Sequence, residues 1–133
     1  MIKKRINLLR KKFKINKIDG YIVPKNDEFF GEYSSHDRLK IISNFDGSAG
    51  FAIILKDKNF LFVDGRYTIQ AKKQSGKNFR IVEIHKFLPY KIINNLKLGF
   101  DPNLFTERQL KFYFKNTSIL VPLSKNLVDQ MYS

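Results

Sequence analysis

Residues 44–67 read NFDGSAGFAIILKDKNFLFVDGRY, and this stretch decides the fold. Phe51–Leu55 and Phe60–Val63 are two apolar runs of strand length, rich in β-branched and aromatic residues. Lys56-Asp-Lys-Asn59 between them is too short and too polar for anything but a hairpin turn. Neither run alternates, so both faces of the hairpin are covered and it belongs in the middle of a sheet. Glycines bracket it: Gly47 and Gly50 before, Gly65 after. Such a buried hairpin with small-residue loops at its ends can present backbone and a few side chains to a partner.

Working outward, Ile2 to about Lys14 has the spacing of an amphipathic helix, with Ile2, Ile6, Leu9 and Phe13 on one stripe and lysines opposite. Gly20–Pro24 is a strand closed by proline. Residues 26–36 are polar and irregular, as a surface loop is, and Asp37 can cap a short helix through Ser43 whose apolar contacts come from Leu39, Ile41 and Ile42. Arg66–Ser75 follows as a helix stopped by Gly76, then a strand over Arg80–Ile84, and a helix is expected over Phe87–Leu96. Leu98–Phe100 is a short strand ended by Asp-Pro. Thr106 and Gln109 form a capping box for a helix carrying Leu110, Phe112, Tyr113 and Phe114. Ser118–Pro122 is a last strand, and Asn126–Tyr132 a last turn of helix. The class is α/β, a mixed β-sheet with a central hairpin flanked by helices.

A length of 133 residues suits one domain over 1–133, and the absence of cysteine excludes disulfides and thiolate metal sites. No apolar run nears the ~18 residues of a membrane span, and no apolar segment of a signal peptide follows the basic N-terminus. These features fit a cytoplasmic protein. The net charge of +13 comes mainly from lysine, and the first seventeen residues hold eight basic residues and no acid. Beyond that segment the lysines stand singly or in pairs, without an arginine cluster or an aromatic RNA-binding signature. A solvated surface is favoured over nucleic acid, and a core-docking first helix over a membrane one.

Candidate chemistry is sparse. His36 and His85 lie far apart, and neither has a metal-ligating partner at helical spacing. Ser48 in Gly47-Ser-Ala-Gly50 precedes a strand, whereas a hydrolase elbow lies between strand and helix. Gly50 is followed by neither Gly-Lys-Ser/Thr nor a helix, which excludes a phosphate loop. No active site is evident from these residues.

Four ordered motifs supply more. They are Asp27-Glu-x-x-Gly31-Glu32-Tyr33, Phe45-x-Gly-Ser-Ala-Gly50, Asp64-Gly-Arg-Tyr67-x-x-Gln70-Ala71 and Asn126-Leu-Val-Asp-Gln130. In this order they resemble the N-terminal domain of Xaa-Pro aminopeptidases, of the creatinase/prolidase pita-bread metallopeptidase superfamily, over nearly the whole chain. The resemblance implies a ribonuclease H-like fold and a metal-dependent hydrolase that removes an N-terminal residue preceding proline. It places the chemistry elsewhere: two divalent metals, often manganese, held by two Asp, one His and two Glu of a C-terminal domain. A second N-terminal domain and that catalytic domain are then absent from this chain, and no catalytic or metal-binding residue is assigned in it. The implied partners are those domains, a proline-containing peptide and, in the complete protein, a second subunit. Candidates for lining the substrate cleft or domain interface are Arg66, Asp46, Ser48, Asp64, Tyr67, Asp27, Glu32 and Tyr33. Arg66 can pair bidentately with a substrate carboxylate or internally with Asp64 or Glu32. The chain departs from the family pattern at Phe29, Asn44, Asp46 and Tyr132, where His, Gly, Thr and Trp are frequent. An alternative is a peptidase-like module that binds protein or nucleic acid without catalysis.

Overall fold

The computed structural model describes residues 1–25 and 37–131. Its centre is a six-stranded sheet built from β1 (Gly20–Pro24), β2 (Phe51–Leu55), β3 (Asn59–Val63), β4 (Arg80–Glu83), β5 (Lys97–Phe100) and β6 (Ile119–Pro122). The spatial order is β4-β3-β2-β1-β5-β6. β2 pairs antiparallel with both β3 and β1, whereas β3–β4, β1–β5 and β5–β6 are parallel. The hairpin therefore lies inside the sheet, and every residue of it except Asn59 is buried between Phe51 and Leu55 and between Asn59 and Val63.

Alternation along these strands divides the core. Tyr21, Val23, Ala52, Ile54, Leu61 and Val63 face one layer, where α1 (Ile2–Arg10), α2 (Phe13–Asn16), α3 (Arg38–Ser43) and α4 (Thr68–Ser75) pack. Ile22, Phe51, Ile53, Phe60 and Phe62 face the other, beneath α5 (Glu107–Phe114). Two covered faces explain why the hairpin reads as two continuous apolar runs.

Local chemistry sets the element ends. The Asp37 side chain accepts from the Lys40 N–H at the start of α3. At α5, Thr106 accepts from the Gln109 N–H, and the Gln109 side chain accepts from the Thr106 N–H, completing the capping box. The first helix differs from the sequence expectation: it is broken after Arg10 by a turn and resumes at Phe13. The stripe survives the break, with Ile6, Leu9 and Phe13 all buried. α4 does end before Gly76, but Gly76 has right-handed φ of −63°. Its missing Cβ matters for space instead, since that atom would lie 2.5 Å from the Lys72 carbonyl oxygen.

Two expected helices are not formed. Over 87–96 there is only a 3-10 turn, Pro89–Lys91. Proline holds the preceding Leu88 extended, so a helix cannot begin at Phe87. At the other end Asn95 takes a left-handed φ of 61°, and its N–H reaches the Thr117 carbonyl. Over 126–131 the chain makes turns. The Asn126 side chain accepts from the Val128 N–H, an Asx-type bond that competes with helix initiation.

That last segment is bolted to the core. Asn126 Nδ2 donates to the buried Asp101 carboxylate at 3.0 Å, and the Leu127 N–H donates to the Tyr21 hydroxyl. Asp129 receives Nε and Nη2 of Arg38 at 2.9 and 2.8 Å. Burial pushes the Tyr21 hydroxyl pKa well above its ordinary value. Among the described residues no helix is long and apolar enough to cross a membrane.

Candidate functional site

The site lies where β1 and β3 end and β2 begins. Pairing of Pro24 with Phe51, and of Phe51 with Phe62, brings the 45–50 turn beside the Asp64–Tyr67 turn. Gly50 has a φ of +144°, which only glycine adopts readily, and its carbonyl accepts from the Lys25 N–H. The neighbouring Phe45 ring fills the space over Gly47, where an added Cβ would lie 2.2 Å from Phe45 Cζ. Turn chemistry, and no catalytic constellation, explains both glycines.

Polar links tie the 45–50 turn to α4 and to Tyr67. Asp46 Oδ1 accepts from Gln70 Nε2 at 2.7 Å and from Gln74 Nε2 at 2.9 Å, while the Asp46 N–H donates to Gln74 Oε1 at 3.1 Å. The Gln74 bond, helped by a weaker contribution from Gln70, lowers the Asp46 pKa from its ordinary value against an opposing desolvation. The Ser48 and Tyr67 hydroxyls are hydrogen-bonded at 2.5 Å. Tyr67 also packs edge-on against Phe45, at 6.2 Å between centroids.

Asp64 is the hub of the second turn. Its Oδ1 accepts from the Arg66 N–H at 2.9 Å and from Arg66 Nε at 3.2 Å, and its Oδ2 faces His85 Nε2 at 3.3 Å. The backbone bond from Arg66 first, and then the guanidinium, lower the Asp64 pKa. The Arg66 guanidinium lies 5.4 Å from the Tyr67 ring centroid, yet its side chain is 76% exposed. Beside these groups a pocket of about 270 Å³ opens between the hairpin and α5, lined by Ser48, Gly50, Phe51, Asp64, Phe105 and Tyr113 among others.

Thus Asp46, Ser48, Asp64, Arg66 and Tyr67 come together at one end of the sheet, whereas Asp27, Glu32 and Tyr33, with His36, lie outside the described residues. Gln74, which clamps Asp46, escapes a sequence reading because it looks like any solvated helical glutamine. Only its place one helical turn after Gln70 marks it. His85 is likewise joined to the site only by the fold, since it is 21 residues from Asp64. Among the described residues no group of three His, Cys, Asp or Glu side chains could hold a metal ion. The dinuclear centre implied by the resemblance does not fit these residues, and no chemical step is assigned to them.

Known proteins resemble this chain in sequence and fold. The family model described as Creatinase/Prolidase N-terminal domain matches residues 5–131. A probable Xaa-Pro aminopeptidase P of Coprinopsis cinerea is 38% identical over 140 residues, covering 95% of this chain and 22% of its own length. Its counterpart in Laccaria bicolor is 34% identical, covering 96% of this chain and 22% of itself. The chain thus spans about a fifth of these curated relatives. Among solved structures, the X-prolyl aminopeptidase of Caenorhabditis elegans, described as a cytosolic enzyme with a di-nuclear active site, superposes with a TM-score of 0.81 at 23% identity. That alignment covers 99% of this chain and 25% of the worm enzyme. The N-terminal domain of the cytoplasmic peptidase PepQ of Mycobacterium tuberculosis aligns over 96% of this chain and 97% of its own, with a TM-score of 0.70 at 22% identity.

Proposed function

Because this chain belongs to the creatinase/prolidase N-terminal domain family, we propose that it is the non-catalytic first domain of a Xaa-Pro aminopeptidase and forms part of the wall of its substrate cleft. The complete protein is a hydrolase that removes an N-terminal residue preceding proline. Its two divalent ions, manganese in this reading, and the Asp, His and Glu ligands reside in a separate domain. It works in the cytoplasm as a homodimer. The observation that carries the cleft assignment is the convergence of the 45–50 and 64–67 turns, clamped by Ser48–Tyr67 and by Asp46 with two glutamines. A rigid, polar, glycine-bearing rim of this kind can border a peptide without taking part in bond cleavage. Arg66 is the residue best suited to touch the substrate or a neighbouring domain, since it is anchored by Asp64 while its head reaches solvent.

The test is to express the complete open reading frame and measure manganese-dependent release of the first residue from an X-Pro peptide. Activity of the full protein, with none from residues 1–133, is the expected result. Arg66→Ala in the full enzyme should raise KM by about 10-fold or more, the loss of one charge-assisted hydrogen bond, with a smaller effect on kcat. A complete protein without metal-dependent X-Pro hydrolysis would overturn the proposal.

A further inference from the structure

At the end of the sheet opposite the candidate cleft, the fold brings Lys56 and Lys97 beside the basic N-terminal segment. Gly20 pairs with Leu55 there, five residues of strand away from the Pro24–Phe51 end. A concave groove of about 810 Å³ is lined by Arg10, Lys14, Lys17, Lys56 and Lys97, with Asp19 as its carboxylate. Arg10, Lys14 and Lys17 belong to the basic N-terminal segment, whereas Lys56 in the turn after β2 and Lys97 at the start of β5 join them only through the fold. Arg10 is structural, donating Nε to the Leu55 carbonyl and Nη2 to Asn59, both at 2.7 Å. Lys14, Lys17, Lys56 and Lys97 are exposed. Asp19, which accepts from the Lys97 N–H at 2.9 Å and pairs with Lys56 at 3.3 Å, offsets one of these charges and leaves Lys14, Lys17 and Lys97 in excess.

From this geometry we propose that the groove binds the phosphate backbone of a nucleic-acid duplex without reading its sequence. The ammonium groups of Lys14, Lys17 and Lys97 are point charges suited to phosphate, with Lys56 held beside Asp19, and the groove offers no exposed arginine fork for base edges. The aromatic residue in its lining, Phe13, is 2% exposed, so there is no platform on which unpaired bases could stack. A recessed cluster also receives a convex backbone better than the flat surface of a bilayer. Lys56 and Lys97, isolated in the sequence, add to the field of the basic N-terminal segment only after folding.

The experiment measures fluorescence anisotropy of a labelled 20-base-pair duplex with this chain. Three phosphate contacts predict that affinity falls by about 40-fold between 50 and 200 mM salt. The triple variant Lys14→Glu, Lys56→Glu, Lys97→Glu should lose roughly tenfold or more at the lower salt and flatten the salt slope by about two. A control triple, Lys73→Glu, Lys111→Glu, Lys125→Glu, lowers the net charge equally from exposed sites outside the groove and should lose about threefold or less. Circular dichroism of both triples verifies folding, and single Lys14→Gln and Lys56→Gln variants carry the same comparison if a triple unfolds. Equal losses in the two sets would overturn the proposal, as would binding to phosphatidylserine vesicles without binding to the duplex.

Discussion

Replacing Gly50 by alanine tests whether the turn entering the hairpin is as constrained as its geometry indicates. The φ of +144° at this position is one that a residue with a Cβ adopts only under strain, at about 1–3 kcal/mol. The new methyl would lie 3.0 Å from the Phe62 carbonyl oxygen and 3.4 Å from Val63 Cγ1. Phe62 sits in β3, in ladder register with Phe51 on one side and Val82 on the other, so its carbonyl has little room to retreat. Crowding of this sort adds about 1 kcal/mol, giving a total of about 2–4 kcal/mol. For a domain of this size each kcal/mol moves Tm by about 3–5 °C, so the midpoint should fall by roughly 8–15 °C in calorimetry. Ser48→Ala, two residues away on an exposed side chain, loses only the bond to Tyr67 and should cost about 1 kcal/mol or less. A Gly50→Ala midpoint within about 3 °C of the parent would refute the reasoning, because the backbone there would then tolerate a side chain.

Asp129→Ala removes two charge-assisted hydrogen bonds from the Arg38 guanidinium, 2% exposed, and should destabilise the domain by about 2–3 kcal/mol in urea titrations. That is less than for a fully buried pair, because Asp129 is itself 44% exposed. Thr106→Ala removes the N-cap of α5 and should cost about 1 kcal/mol by the same titration. Asp46 and Asp64 have pKa values depressed in the fold, so the stability they contribute is present above their unfolded values, near pH 4, and is lost as pH falls through the lower folded values. Tm measured from pH 5 down to 2 should therefore drop less steeply in an Asp46→Asn, Asp64→Asn double variant than in the parent.

What could be read from the sequence is what depends on neighbours along the chain. The hairpin was legible because two covered faces demand apolar residues at every position of Phe51–Leu55, and the α5 start because Thr106 and Gln109 cap each other across three residues. Phe87–Leu96 misleads for an equally local reason: its apolar spacing is helical, but Pro89 and the left-handed Asn95 leave no room for more than a turn. Pairs closed by the fold were invisible. Arg38 and Asp129 are 91 residues apart, and Asp46 and Gln74 are 28 apart. Nothing in the composition of either segment distinguishes them from solvated charges and amides. The last motif, Asn126-Leu-Val-Asp-Gln130, shows its meaning only in three dimensions, where Asn126 holds Asp101 and Asp129 holds Arg38.

Under the proposed function, the bonding at the candidate cleft holds a shape for a reaction that another domain carries out. The Ser48 hydroxyl is engaged with the Tyr67 hydroxyl, and the His85 ring is turned to Asp64. A nucleophilic serine needs a base within hydrogen-bond reach, and none of these contacts supplies one. The same contacts are well suited to holding a shape. Asp64 fixes the Arg66 backbone and its Nε together, and the Tyr67 ring supports the guanidinium from one side. An arginine carries about 2 kcal/mol of rotamer entropy, part of which this anchoring removes before any ligand arrives. The exposed head can then meet a carboxylate with less ordering left to do. Rigidity of the 45–50 and 64–67 turns is thus the property through which this domain would act, and Gly50, Asp46 and Asp64 are its sources.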